Sequence, residues 1–198
     1  MSKEDKKRNG RNGATGCGCV QANGRGTSGP VIECEGFTLR PWRMEDCESL
    51  AHHANNVQIY NNVRDHFPHP YTAADAVQFI TMVQAAPGHT FAIEVGGQAV
   101  GGVGIVPGTD IERVSAEVGY WLGEEYWGHG IVTAATRALC DYVFANTEIV
   151  RLWAGVFAHN RASMRVLEKA GFTHLTTMRR AAIKNGVIID LEYYELLK

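Results

Sequence analysis

Large apolar side chains are scarce up to about residue 30 and then recur with two distinct periods. Phe37-Thr38-Leu39-Arg40-Pro41-Trp42 alternates like a short strand, and residues 44–55 follow with a helical pattern. Thr72, a good N-cap ahead of Ala73-Ala74-Asp75, opens a second helix that runs to about Ala86, where Pro87-Gly88 stops it. Apolar runs over residues 90–95 and 99–106 are joined by Gly96-Gly97-Gln98, which predicts a hairpin, and residues 114–122 supply a third strand of an antiparallel meander. Ile131, Ala134, Ala135, Ala138, Leu139, Tyr142 and Val143 recur every three or four positions, which is one face of a helix that packs on the sheet. A strand over 150–157, a short helix over 160–170 closed by Gly171, and a final strand pair over 173–180 and 187–197 complete a mixed α/β order.

Composition narrows the classes this pattern can serve. With 198 residues, 45% of them hydrophobic, the chain has the material for one core. Residues 1–34 carry Lys6-Lys7-Arg8 and Arg11 among glycine and small polar residues; the expectation is a disordered tail ahead of a folded domain over 35–198. The formal charge of -2 gives no positive field to gather phosphate backbones, so nucleic acid is not an expected partner. No apolar run approaches the roughly 20 residues that span a bilayer, and the chain opens Met1-Ser2-Lys3-Glu4-Asp5, so a cytoplasmic protein without a membrane partner is expected. Cys17, Cys19, Cys34, Cys47 and Cys140 are odd in number and lack a Cys-x-x-Cys spacing, which favours reduced thiols. Neither Gly16-Cys17-Gly18-Cys19 nor the histidine pairs His52-His53 and His66-Phe67-Pro68-His69 have the spacing of a metal site, and none is expected.

The sequence Gly123-Glu124-Glu125-Tyr126-Trp127-Gly128-His129-Gly130 falls between a predicted strand and a predicted helix. Such a turn presents main-chain N–H groups and a helix N-terminus to an anion without needing basic side chains. It is not a Rossmann loop, which needs a glycine where Thr133 stands, nor a Walker loop, which needs Gly-Lys-Ser/Thr. Alone it is equally a tight turn with no ligand. Further residues add weight: Ala116-Glu117-Val118-Gly119-Tyr120-Trp121-Leu122, then Trp127-Gly128-His129-Gly130-Ile131, then Asn160 through Phe172. Together with Leu39-Arg40-Pro41-Trp42 these blocks resemble the GNAT superfamily, within it the RimJ/RimL type of N-acetyltransferase, over about residues 36 to 198. Trp127 stands where the wider superfamily favours Gln or Arg, and Val132 where it favours Gly or Ala.

The resemblance implies an α+β fold: a mixed, mostly antiparallel sheet of six to seven strands with a central splay, and about four helices. It implies acetyl-CoA as co-substrate, and direct attack by a primary amine in a ternary complex. The acceptor it implies is a protein N-terminal α-amine or a small amine such as an antibiotic or polyamine. Tyr120, Trp121 and Leu122 would pair with the pantetheine arm, Trp127, Gly128, His129, Gly130 and Ile131 would form the diphosphate turn, and Asn160 and Ser163 would close the arm from the other side. An α-amine, with a reference pKa of about 7.7 to 8.0, is partly neutral at pH 7, so a weak base suffices. Glu117, on one strand face with Gly119 and Trp121, is the candidate base, and its plainer role is an ion pair. Relatives place a tyrosine acid where this chain has Leu167; Ser163 could relay that proton instead. Asn160 could simply cap its helix, Trp127 could stack on the acceptor or seal the loop, and Asn61, Asn62, Arg64 and Asp65 lie where an acceptor would be read. A sensor that binds acyl-CoA without turnover is the alternative class, favoured by Leu167. The chain is expected as a monomer or a homodimer, the latter through residues 187–197.

Overall fold

The computed structural model describes residues 20–22, 29–86 and 88–198. The expectations for Lys6-Lys7-Arg8, Cys17 and Cys19 fall outside these residues. In chain order the elements are β1 (Val20–Ala22), β2 (Val31–Cys34), β3 (Phe37–Arg40), α1 (Cys47–Ala54), α2 (Val57–Tyr60), α3 (Ala73–Gln84), β4 (Thr90–Val95), β5 (Gln98–Pro107), β6 (Ser115–Leu122), α4 (Ile131–Asn146), β7 (Arg151–Phe157), α5 (Arg161–Ala170), β8 (Thr173–Lys184) and β9 (Val187–Leu197). The strands form one sheet in the order β1-β2-β3-β4-β5-β6-β7-β9-β8, with every neighbouring pair antiparallel except β6 and β7.

This is the fold the resemblance implied, with additions at its start. Strand β2 lies ahead of the boundary expected at residue 35: Gly36, at φ 81, turns the chain so that Ile32 pairs with Leu39 and is buried. The sheet therefore holds nine strands rather than six or seven. A fifth helix, the single turn α2, starts under Asn56, whose side chain accepts from the N–H groups of Gln58 and Ile59. Strand β9, expected as a possible dimer edge, is interior between β7 and β8, so β8 is the edge strand on that side.

Two cores form, one on each face. Helices α4 and α5 cover one face with Leu139, Val143 and Leu167 over Val103, Val118 and Leu152; Trp42, Leu50, Tyr71 and Ile80 fill the other. Arg40 is buried between β3 and the turn that opens α1, donating to both carboxylate oxygens of Asp46 at 2.7 and 2.8 Å and pairing with Glu94. Burial alone would lower its pKa, but the two carboxylates outweigh burial and raise it. Helix α3 begins in a reciprocal box between Thr72 and Asp75, and α5 ends on Gly171 at φ 100.

One irregularity of the sheet governs the rest. Strands β6 and β7 share only three register pairs, Ser115↔Arg151, Ala116↔Leu152 and Glu117↔Trp153. Beyond them β6 stays with β5 as far as Gly101↔Leu122, while β7 stays with β9 as far as Phe157↔Leu191. The two strands part after Glu117, and the sheet opens into a cleft.

Candidate functional site

Helix α4 starts at this cleft without a side-chain cap and with no acidic residue in its first turn, whereas α3 and α5 both start under caps. Its first intrahelical bond runs from Ala134 N to Gly130 O at 3.0 Å, which leaves the N–H groups of the preceding residues without helical partners. Gly128 and Gly130 reach the turn at φ 81 and 79, and a Cβ built on either would meet nothing within 4 Å. Both the donor set and the space therefore suit an anionic group that approaches the main chain closely. The preceding 3-10 turn, Glu124–Tyr126, is held from α1 and α2: Asn56 Nδ2 donates to Glu124 Oε2 at 2.6 Å, and His53 packs edge-on against Tyr126 at 5.6 Å. Burial lowers the His53 pKa, the neighbouring His52 pushes it the same way, and Glu125 opposes.

The open edge of β6 can be read from its hydrogen bonds. Val114 O accepts from Val150 N at 2.9 Å, so even-numbered residues turn their main chain toward β7; Gly123 N donates to Val100 O at 2.8 Å, so odd-numbered residues turn theirs toward β5. Past the parting point, Val118, Tyr120 and Leu122 thus present main-chain groups to the cleft. The main chain of Trp121 faces β5, a correction to the expectation that all three of Tyr120, Trp121 and Leu122 offer main-chain groups; Trp121 contributes its ring. Trp127 Nε1 donates to Leu122 O at 2.7 Å, sealing the turn onto the strand end.

Two cavities meet in the cleft. One, of about 300 Å³, runs from Trp127, Gly128, Gly130 and Ile131 past Leu122 to Asn160 and Ser163. The other, of about 470 Å³, opens on the α1 and α3 side and holds Glu117. Asn62, Val63, Tyr120, Trp121, Asn160 and Ser163 line both, which marks the junction. There the Tyr120 hydroxyl stands 2.8 Å from Ser163 Oγ and 3.1 Å from Ser163 O. Burial raises the Tyr120 pKa, with the bond to Ser163 opposing, so the phenol stays protonated. Asn160 Oδ1 accepts from Ser163 N at 3.1 Å, the capping role, and Asn160 also lines both cavities.

Glu117, at the point of divergence, pairs with Arg64, the plainer role expected for it, while its face still looks into the larger cavity. Across the cavity mouth Lys184 Nζ donates to Asp65 Oδ1 at 2.8 Å and lies 3.7 Å from the Tyr60 ring centre. His129 is exposed, its Nδ1 3.3 Å from Tyr126 O, and of the expected turn residues it alone does not line the smaller cavity. Sequence reasoning missed the Tyr120 hydroxyl and Lys184. Period-two alternation gives Tyr120 a face, but its partner lies 43 residues on; Lys184 falls beyond the strand end expected at Arg180. Among the described residues no cluster of His, Cys, Asp or Glu could hold a metal ion, and no helix is long and apolar enough to cross a membrane.

A family model described as an acetyltransferase (GNAT) domain matches residues 37–173. The curated relatives include the Bacillus subtilis (strain 168) protein named "Putative ribosomal N-acetyltransferase YdaF", 41% identical over 83 residues, which are 42% of this chain and 45% of that one. The match thus spans less than half of that relative. The Bacillus licheniformis protein named "Uncharacterized N-acetyltransferase p20" is 28% identical over 85% of this chain and 96% of its own. Among solved structures, Mycobacterium smegmatis RimJ in complex with CoA-disulfide superposes with a TM-score of 0.73 and 25% identity, covering 85% of this chain and 82% of that chain.

Proposed function

The chain belongs to the GNAT acetyltransferase family, and from that membership we propose that it transfers an acetyl group from acetyl-CoA to a primary amine, foremost a protein N-terminal α-amine, by direct attack in a ternary complex. The observation that carries this reading is the junction of two cavities at the parted strands: one is floored by an uncapped helix N-terminus, the other holds a carboxylate.

Bound in the smaller cavity, the coenzyme would supply a thioester-activated acetyl group. The main-chain N–H groups of the Gly128 to Val132 turn would hold its diphosphate, and the main-chain groups of Tyr120 and Leu122 would align its arm as an added strand. An N–H on this edge, placed before any charge develops, would polarise the carbonyl that is attacked. Glu117 Oε would take the proton that the amine gives up, with Arg64 orienting the carboxylate. Ser163 Oγ would give a proton to the departing sulfur. The Tyr120 hydroxyl stands within hydrogen-bond reach of both Ser163 O and Ser163 Oγ; donated to Oγ, its proton would leave the serine proton turned into the cleft. This hydroxyl pair favours turnover over a sensor, since it would supply an acid at the junction even though Leu167 is fully buried in the core.

The test is free-thiol release from acetyl-CoA over a panel of peptides and amines. Wild-type protein releases thiol with at least one acceptor, and Glu117→Gln lowers kcat/KM by about 10²- to 10⁴-fold without changing acetyl-CoA affinity. Tight acetyl-CoA binding with no release on any acceptor would establish the sensor instead.

A further inference from the structure

Glu117, Gly119 and Trp121 share the face of β6 that looks into the 470 Å³ cavity. Gly119 has no local reason to be glycine. Its φ lies outside the left-handed range, and a Cβ built on it meets nothing within 4 Å. Mid-strand, glycine costs about 0.5–1 kcal/mol relative to alanine. The neighbouring strand glycines differ: a Cβ on Gly102 would come within 2.9 Å of Trp121 Nε1, and one on Gly104 within 2.8 Å of His89 O. Those two are dictated by packing, whereas Gly119 keeps a space open between the candidate base and the Trp121 ring.

The walls of that space are aromatic. The Phe67 ring centre lies 4.9 Å from that of Tyr71 and 5.8 Å from that of Trp121, and Phe79 extends the same wall. The charged groups at the rim cancel in pairs, Glu117 with Arg64 and Asp65 with Lys184, so no surplus of negative charge awaits a polycation. Resting on the transferase reading above, we propose that this space is a side-chain subsite. It takes the large apolar side chain of the first residue of a peptide whose α-amine is presented to Glu117. Transfer forms the N–C bond of the new amide and breaks the C–S bond of acetyl-CoA; Glu117 takes the proton the amine loses and releases it to solvent, while Ser163 protonates the thiolate and regains a proton from solvent.

Kinetics of thiol release from acetyl-CoA test this with peptides that differ only in a first residue of Phe, Leu, Ala or Ser, with 2-phenylethylamine and spermidine as further arms. Wild-type protein prefers Phe and Leu over Ala and Ser by at least ~10-fold in kcat/KM. Gly119→Val lowers the Phe-to-Ala ratio by at least ~10-fold, and Gly119→Ala falls between. Calorimetric acetyl-CoA affinity is the same in all three, and Tm is unchanged or raised, because the added carbon meets open space and β-branched residues suit strands. The proposal is overturned if wild-type protein prefers Ser, Ala or spermidine, if 2-phenylethylamine outpaces the Phe peptide, or if the Gly119 variants slow every acceptor equally. A wild-type protein that releases no thiol at all overturns the transferase reading itself, a different result from turnover without the expected preference.

Discussion

At the scale of single residues, the junction depends on hydroxyl geometry. Ser163 sits one turn into α5, and its Oγ is oriented from across the cleft by Tyr120 at 2.8 Å. Tyr120→Phe keeps the ring and its packing but removes the hydroxyl that Ser163 Oγ meets, leaving the serine proton free to turn back toward its own helix. It is expected to lower kcat by about 10- to 10²-fold, with acetyl-CoA affinity and Tm nearly unchanged, and Ser163→Ala should lower kcat by a similar factor. The two losses should not add in the double variant, since both remove one proton path; a double-mutant cycle on kcat measures this. The sequence made Ser163 a candidate because a serine at that helical position points where Asn160 points. It made Tyr120 a candidate only through its main chain and not its hydroxyl, because a hydroxyl bond between residues 120 and 163 exists only once β6 and α5 are brought together.

At the scale of elements, the proposed function makes the start of α4 a trade of helix stability against ligand binding. An acidic residue in a first helical turn stabilises the helix by about 0.3–1 kcal/mol, yet α4 has none. Thr133→Glu should therefore raise Tm by roughly 1–4 °C while weakening acetyl-CoA binding at least ~10-fold by placing a charge beside the diphosphate. Thermal melts and calorimetry would move in opposite senses, which a merely structural turn would not produce. The clamp on the same turn is pH-sensitive. Burial holds the His53 pKa below its unfolded value of about 6.5, so the unfolded chain binds the extra proton. The stability this residue contributes is complete above about pH 6.5 and is lost as pH falls through the lowered folded value. His53→Gln should flatten the fall of Tm in that window relative to wild type. Most of these elements were legible beforehand: the Gly96-Gly97 hairpin, the Thr72 cap, the Gly171 stop and the α4 face carry strong local signals. Helix α2 was not, because four residues contain no period, and β2 was not, because its partner β3 is what makes four modest residues a strand.

At the scale of the whole molecule, the single sheet has an N-terminal part through β6 and a C-terminal part from β7 onward, joined in the ladder by three register pairs. Parting the strands creates the cleft and also weakens the seam, so contacts that bridge it elsewhere matter more. The tip of the β8–β9 hairpin is such a bridge: Lys184, only 5% exposed, reaches Asp65 and the Tyr60 ring, and Asn185 Nδ2 donates to Asn61 Oδ1 at 2.8 Å. These contacts join residues 119 and 124 positions apart, which is why nothing in the local sequence announced them. They hold the segment over residues 60–65, of which Arg64 and Asp65 line the larger cavity alone and Asn62 and Val63 line both. Lys184→Ala should remove the ion pair and the ring contact together, costing about 1–2 kcal/mol, since Asp65 is largely exposed and its charge is screened. That corresponds to a fall in Tm of roughly 2–8 °C. Amide exchange should quicken at residues 60–65 and 184–187 and stay unchanged over α4. On the proposed reading, acceptor KM should rise several-fold and acetyl-CoA affinity should change less, because Asp65, the partner of Lys184, lines the larger cavity alone. Equal weakening of both substrates would show instead that the hairpin supports the whole cleft, and that the two cavities are one mechanical unit.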